Sequence, residues 1–180
     1  MIVSKLDVLR HFVSQEIEKH SNIAIELTQI LSISNDEEFV SRLRRFASKH
    51  DSNNPVYAWT GLNANQHHER VRSWVKATDI RTDSVYSKGI NPTINNYLND
   101  RKIRGNLKQI ADRATTDVVL RKEFDLSRQP VSEEKRTIIG VVHRSTDHDG
   151  TIELIDGAHR FVSMAANGVT EVPAFLAELS

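Results

Sequence analysis

Residues 151–179, TIELIDGAHRFVSMAANGVTEVPAFLAEL, decide how this chain is read. The opening TIELID reads as a strand that ends at about Ile155. Gly157 then lets the chain turn sharply and a helix opens near Ala158, with Phe161, Met164 and Ala165 inward and Gly168 as its C-cap. VPAFLAEL closes the stretch as a final strand. Just upstream, TIIGVVHRST (137–146) is β-branched and apolar. Asp149-Gly150 between the two apolar runs is a hairpin signal, because both residues tolerate the positive φ of a tight turn. The last fifty residues therefore read strand, hairpin, strand, helix, strand.

The junction Ile155-Asp156-Gly157-Ala158-His159-Arg160-Phe161 carries the chemistry. The first backbone N–H groups of a helix have no partner within it and sit at the positive end of its dipole, which favours an anion. His159 and Arg160 add a titratable donor and a guanidinium able to hold two phosphate oxygens. Asp156 can orient either of them, or hold a magnesium ion that bridges phosphates. Each residue also has a plain structural explanation: Asp156 as a helix cap, His159 on a backbone carbonyl, Arg160 on a surface carboxylate. Their place between a strand and a short helix favours the anion site.

The run Leu154–Arg160, followed by a short helix, a glycine and a Val-Pro-Ala strand, resembles the ParB/sulfiredoxin-like superfamily. The resemblance covers about residues 130–178, and the helical pattern at 93–114 is similar to the helix that precedes the hairpin there. It implies a small α+β fold that binds nucleotide phosphates at this loop, through Gly157, Ala158, His159 and Arg160. The sulfiredoxin branch has cysteine where this chain has Ala158, and the chain contains no cysteine at all, which excludes sulfinic-acid reduction. The partition branch carries a DNA-binding segment after the motif; here about twenty residues follow, so partition is not expected. The free-amino-acid kinases are similar in having Asp-Gly-x-His-Arg.

Phosphoryl transfer also needs a carboxylate to act on the acceptor. Gln66-His67-His68-Glu69-Arg70 supplies the second constellation, with Glu69 as the candidate base and Arg70 as a phosphate clamp, although a solvated helix surface explains it more simply. Asp112-Arg113 and the hairpin acids around His148 are weaker. His143, His148 and His159 would meet only if the hairpin folded over the loop. There is no Walker A loop, no dinucleotide fingerprint and no His-Glu-x-x-His helix.

Residues 1–50 read as helices. Ile2, Leu6, Leu9, Val13 and Ile17 recur at helical spacing. IAIELTQIL reads as a second, more buried helix. Ser34 with Glu37 forms a capping box for a third, with Phe39, Val40, Leu43 and Phe46 inward and Arg42, Arg44 and Arg45 on a solvated face. Pro55 marks a break at 51–63, a helix is expected to resume near Asn65 with Val71, Trp74 and Val75 inward, and 79–92 reads as irregular. Helical patterns return at 93–115 and 117–124.

The 180 residues carry 24 basic and 24 acidic side chains, 38% hydrophobic residues and no cysteine. That composition excludes disulfide scaffolds, thiolate metal sites and cysteine nucleophiles, and it lacks the net charge of a typical nucleic-acid binder. No signal-peptide pattern and no run of about 18 apolar residues is present, so a cytoplasmic protein without membrane association is expected. The reading is one of class α+β: a helical N-terminal extension (1–50) and a ParB/sulfiredoxin-like domain (51–180) with a small mixed sheet and flanking helices. Its function is read as ATP- or ADP-dependent phosphoryl transfer to an unknown small-molecule acceptor, or nucleotide hydrolysis. Asp156 would hold Mg2+, and Asp156, His159, Arg160 and Glu69 would be catalytic. Two alternatives stand beside it. One is a nucleic-acid binder or nuclease using Arg101, Lys102, Arg104, Lys108, Arg113, Arg121 and Lys122, whose affinity would fall steeply with salt. The other is a non-catalytic nucleotide sensor.

Overall fold

Strand, strand, helix, strand is the order in which residues 138–179 fold. β4 (Ile138–His143) and β5 (Thr151–Asp156) run antiparallel, α7 (Ala158–Ala166) follows, and β6 (Glu171–Leu179) returns parallel to β4. These are the elements the sequence indicated. α7 ends as its sequence suggests, with Val169 N–H donating to Met164 O and Gly168 N–H to Ala165 O, the paired bonds of a Schellman closure. The structure, a computed structural model, describes residues 1–49, 71–87, 106–126, 133–143 and 151–179.

The earlier strands are β1 (Ile2–Val3), β2 (Val71–Arg81) and β3 (Val85–Tyr86), the last two joined by a single 3-10 turn. The mixed six-stranded sheet has the order β1-β2-β6-β4-β5-β3. β2 corrects the sequence reading, which placed a helix across Val71–Val75 and irregular chain from 79. Val71, Trp74 and Val75 fit a helical stripe as well as a strand, and pairing in a sheet decided between them. The helices α1 (Lys5–Lys19), α2 (Ala24–Leu31), α3 (Asp36–Lys49), α4 (Leu107–Ala114), α5 (Val118–Phe124) and α6 (Glu133–Arg136) complete the described elements. The class is α+β. Among the described residues, no helix is long and apolar enough to cross a membrane.

The chain divides into two units, Val3–Ser73 and Met1–Ile2 with Trp74–Leu179. In the second unit, Ile138, Ile152, Leu154, Val172, Ala174 and Leu176 of the sheet form one core with Leu107, Ile110, Leu120, Phe124, Phe161 and Val162 of α4, α5 and α7. Burying such side chains supplies about 1.5–3 kcal/mol each. Ile139, Val141, Phe175 and Ala177 are buried as well, so β4 and β6 carry near-continuous apolar runs in place of a strict alternation. At Gly140 of β4 there is no room for a side chain. A Cβ there would stand 2.6 Å from Ile152 Cγ2 and 3.1 Å from the Glu153 carbonyl. Asn106 and Asp117 cap α4 and α5 through their side-chain oxygens.

In the helical unit, Val8, Leu9, Phe12 and Val13 of α1 are buried, a stripe shifted from the expected one; Ile2, which was expected to join it, belongs to the sheet unit and is exposed in β1. α2 buries Leu27 and Ile30 but leaves Ile25 exposed, so it is less buried than expected. α3 buries Phe39, Leu43, Phe46 and Ala47. Its cap is Asn35, one residue after the expected Ser34; the Asn35 oxygen accepts from Glu38 N–H at 2.9 Å. Arg10 ties the unit together: its guanidinium stacks 4.1 Å above the Phe39 ring and donates to the Leu31 and Ile33 carbonyls and to Asp36.

Candidate functional site

The turn from β5 into α7 is made by Gly157, at φ 97° and ψ 19°, and this residue has no side chain with which to cap the helix. A side chain at that φ costs about 1–2 kcal/mol, which only glycine escapes. Space is closed as well: a Cβ would lie 3.0 Å from Arg160 Nη2 and 3.1 Å from Ile138 Cγ2. The reason is geometric. Helical side chains lean toward the N-terminus, so Arg160, three residues on, folds back over Gly157.

Arg160 is there held by the protein itself. Nη2 donates to Asp156 Oδ2 at 2.8 Å, and Nη1 donates to the Lys135 carbonyl of α6 at 3.3 Å. The two charged side chains are only 16% and 14% exposed, so water screens their attraction less than at an open surface. One guanidinium thus joins the end of β5, the first turn of α7 and α6.

His159 points elsewhere. Successive helical residues are turned about 100° apart, and its imidazole faces α5: Nε2 lies 3.5 Å from Glu123 Oε1, and the ring sits 5.1 Å from Phe124, tilted by 50°. At 56% exposure the imidazole is the most open of the four charged or titratable groups here.

The structure therefore brings Asp156, Gly157, Ala158 and Arg160 together at the helix start and places His159 beside them, held by Glu123. Arg160 and His159 do not point at a common centre. Glu69, with the rest of Gln66–Arg70, lies outside the described residues, as do the hairpin acids Asp147 and Asp149, His148, Arg101, Lys102 and Arg104. Asp112 pairs with Lys108 one turn earlier on α4. Arg113, Arg121 and Lys122 are exposed on α4 and α5. Two participants escaped the sequence reading: Glu123, 36 residues before His159, and the Lys135 carbonyl, which no side-chain motif can reveal.

Among the described residues, no group of three or more histidines and acids is placed to hold a metal ion. Asp156 offers one carboxylate, already accepting from Arg160. Magnesium is commonly held by one or two carboxylates together with substrate phosphates. Comparison with protein-family models, with curated proteins and with solved structures finds no match to this chain.

Proposed function

We propose that the β5–α7 junction binds the phosphates of ATP or ADP and that the chain uses the nucleotide for phosphoryl transfer or hydrolysis, as a member of the ParB/sulfiredoxin-like superfamily. The observation that carries this reading is the Arg160 guanidinium folded onto left-handed Gly157 at the uncapped start of a nine-residue helix. The strand–glycine–helix order and the mixed sheet support the superfamily assignment. In this reading the Ala158 and His159 amides receive phosphate oxygens. Arg160 shares its charge between Asp156 and the ligand, and stabilises charge developing in transfer. Bound magnesium would neutralise phosphate charge next to Asp156. His159, steadied by Glu123, is the open proton donor at the rim, and Glu69 is the proposed base for the acceptor hydroxyl or water.

Calorimetric titration with ATP and ADP, with and without magnesium, tests the reading. Arg160→Ala is expected to weaken nucleotide binding at least tenfold. Arg160→Lys, which keeps the charge without the planar fork, should lose less. Unchanged affinity in a folded Arg160→Ala protein removes the proposal. Exposed Arg113, Arg121 and Lys122 favour the nucleic-acid alternative instead if a DNA or RNA oligonucleotide binds with steep salt dependence while nucleotides do not.

A further inference from the structure

α3 has a second face. Beside its buried stripe, Asp36, Glu37, Val40, Ser41, Arg44 and Arg45 border an open cleft of about 540 Å³, with Leu6 of α1 contributing to its lining. Charge is segregated along this face, acids in the first turn and arginines two turns later. The spacing has a symmetry. Glu37 and Arg44 have their midpoint between Val40 and Ser41. Glu37 and Arg44 are seven residues apart and so point within about 20° of each other around the helix.

A helix so patterned is complementary to itself when reversed. Two copies placed antiparallel, with a two-fold axis between Val40 and Ser41, set each Glu37 level with the other copy's Arg44, and Val40 against Val40. A parallel pairing would set acid on acid. We propose that this face of α3 is the contact surface for a second copy of the chain, in a two-fold dimer joined by reciprocal Glu37–Arg44 pairs around a small apolar centre of Val40 and Leu6.

Surrounding groups agree. Asp36 is shared with Arg10 at 3.2 Å, which leaves Glu37 as the principal acid. Burial, and then the nearby Arg44 charge, hold the Lys5 ammonium below the ordinary lysine value. A 14-residue helix is about 21 Å long, and one such contact falls short of a standard-size interface, so the dimer is expected to be weak and salt-sensitive.

Sedimentation velocity on the full chain over a concentration series tests this. A monomer–dimer equilibrium is expected, weakening roughly tenfold as salt rises from low to high ionic strength. Glu37→Arg alone and Arg44→Glu alone should each be monomeric, whereas an equal mixture should form the heterodimer, because each then supplies the charge the other lacks. Because the chain has no cysteine, Ser41→Cys provides a second readout. Under mild oxidation it should cross-link into dimers much faster than Gln29→Cys on exposed α2. Monomer at all concentrations, a dimer indifferent to both charge reversals, or equal cross-linking of the two cysteine variants overturns the proposal. These substitutions are on the surface, and circular dichroism confirms that each variant is folded.

Discussion

Replacing Asp156 by asparagine keeps the side-chain size and an acceptor oxygen but removes the charge 2.8 Å from the Arg160 guanidinium. In a wholly buried pair, deleting one partner costs about 3–5 kcal/mol. At 16% and 14% exposure some solvent reaches both groups, so the expected loss is about 2 kcal/mol, a fall of roughly 4–8 °C in Tm. An anion at the helix start should then do more for the variant than for the wild type, because it replaces the missing countercharge. Thermal unfolding with and without inorganic phosphate or ADP, magnesium omitted, reads this directly. A ligand at a hundred times its Kd adds about 2.7 kcal/mol, enough to return most of the lost stability. Equal shifts in the two proteins, or none, would mean that Arg160 is a structural clamp that meets no ligand phosphate, and would refute the reasoning.

Gly157→Ala combines a disfavoured φ with a Cβ crowding Arg160 and Ile138, and is expected to lose about 2–3 kcal/mol in urea unfolding; a loss under about 0.5 kcal/mol would contradict the geometry of the turn. Asn35→Ala should cost about 1 kcal/mol and Ser34→Ala close to nothing, a comparison that fixes which residue caps α3. Asp83 accepts hydrogen bonds from Arg81, which, ahead of all other influences, holds its carboxyl below the ordinary aspartate value. A group lowered in this way stabilises the fold above its unfolded pKa and loses that contribution as pH falls through the folded one. The stability difference between wild type and Asp83→Asn should therefore be visible near neutrality and vanish at low pH, as measured by urea unfolding across a pH series.

How much of this was legible depends on whether a segment carries its own cue. Asp156-Gly157 and Gly168 announced the ends of β5 and α7, and the β-branched runs announced β4 and β5. β2 had no such cue. Its apolar residues fall at spacings of three, one and five, Val71, Trp74, Val75 and Ile80, and only its β-branched content spoke for a strand. At the end of β5 the sequence located the junction but not its wiring. Asp156 and Arg160 are four residues apart across the turn, so their pairing was within reach of spacing. Glu123 meets His159 only because α5 and α7 share the core around Phe124 and Phe161, and no local pattern encodes that contact.

The bond from Arg160 to the Lys135 carbonyl has a consequence for communication within the sheet unit. α6 immediately precedes β4, and its last turn closes with Thr137 N–H on the Glu134 carbonyl. If the proposed anion draws the guanidinium outward, its hold on this turn would loosen, and occupancy at one end of β5 would be felt at the root of β4. Amide exchange at Thr137 would then report a guest that never touches it.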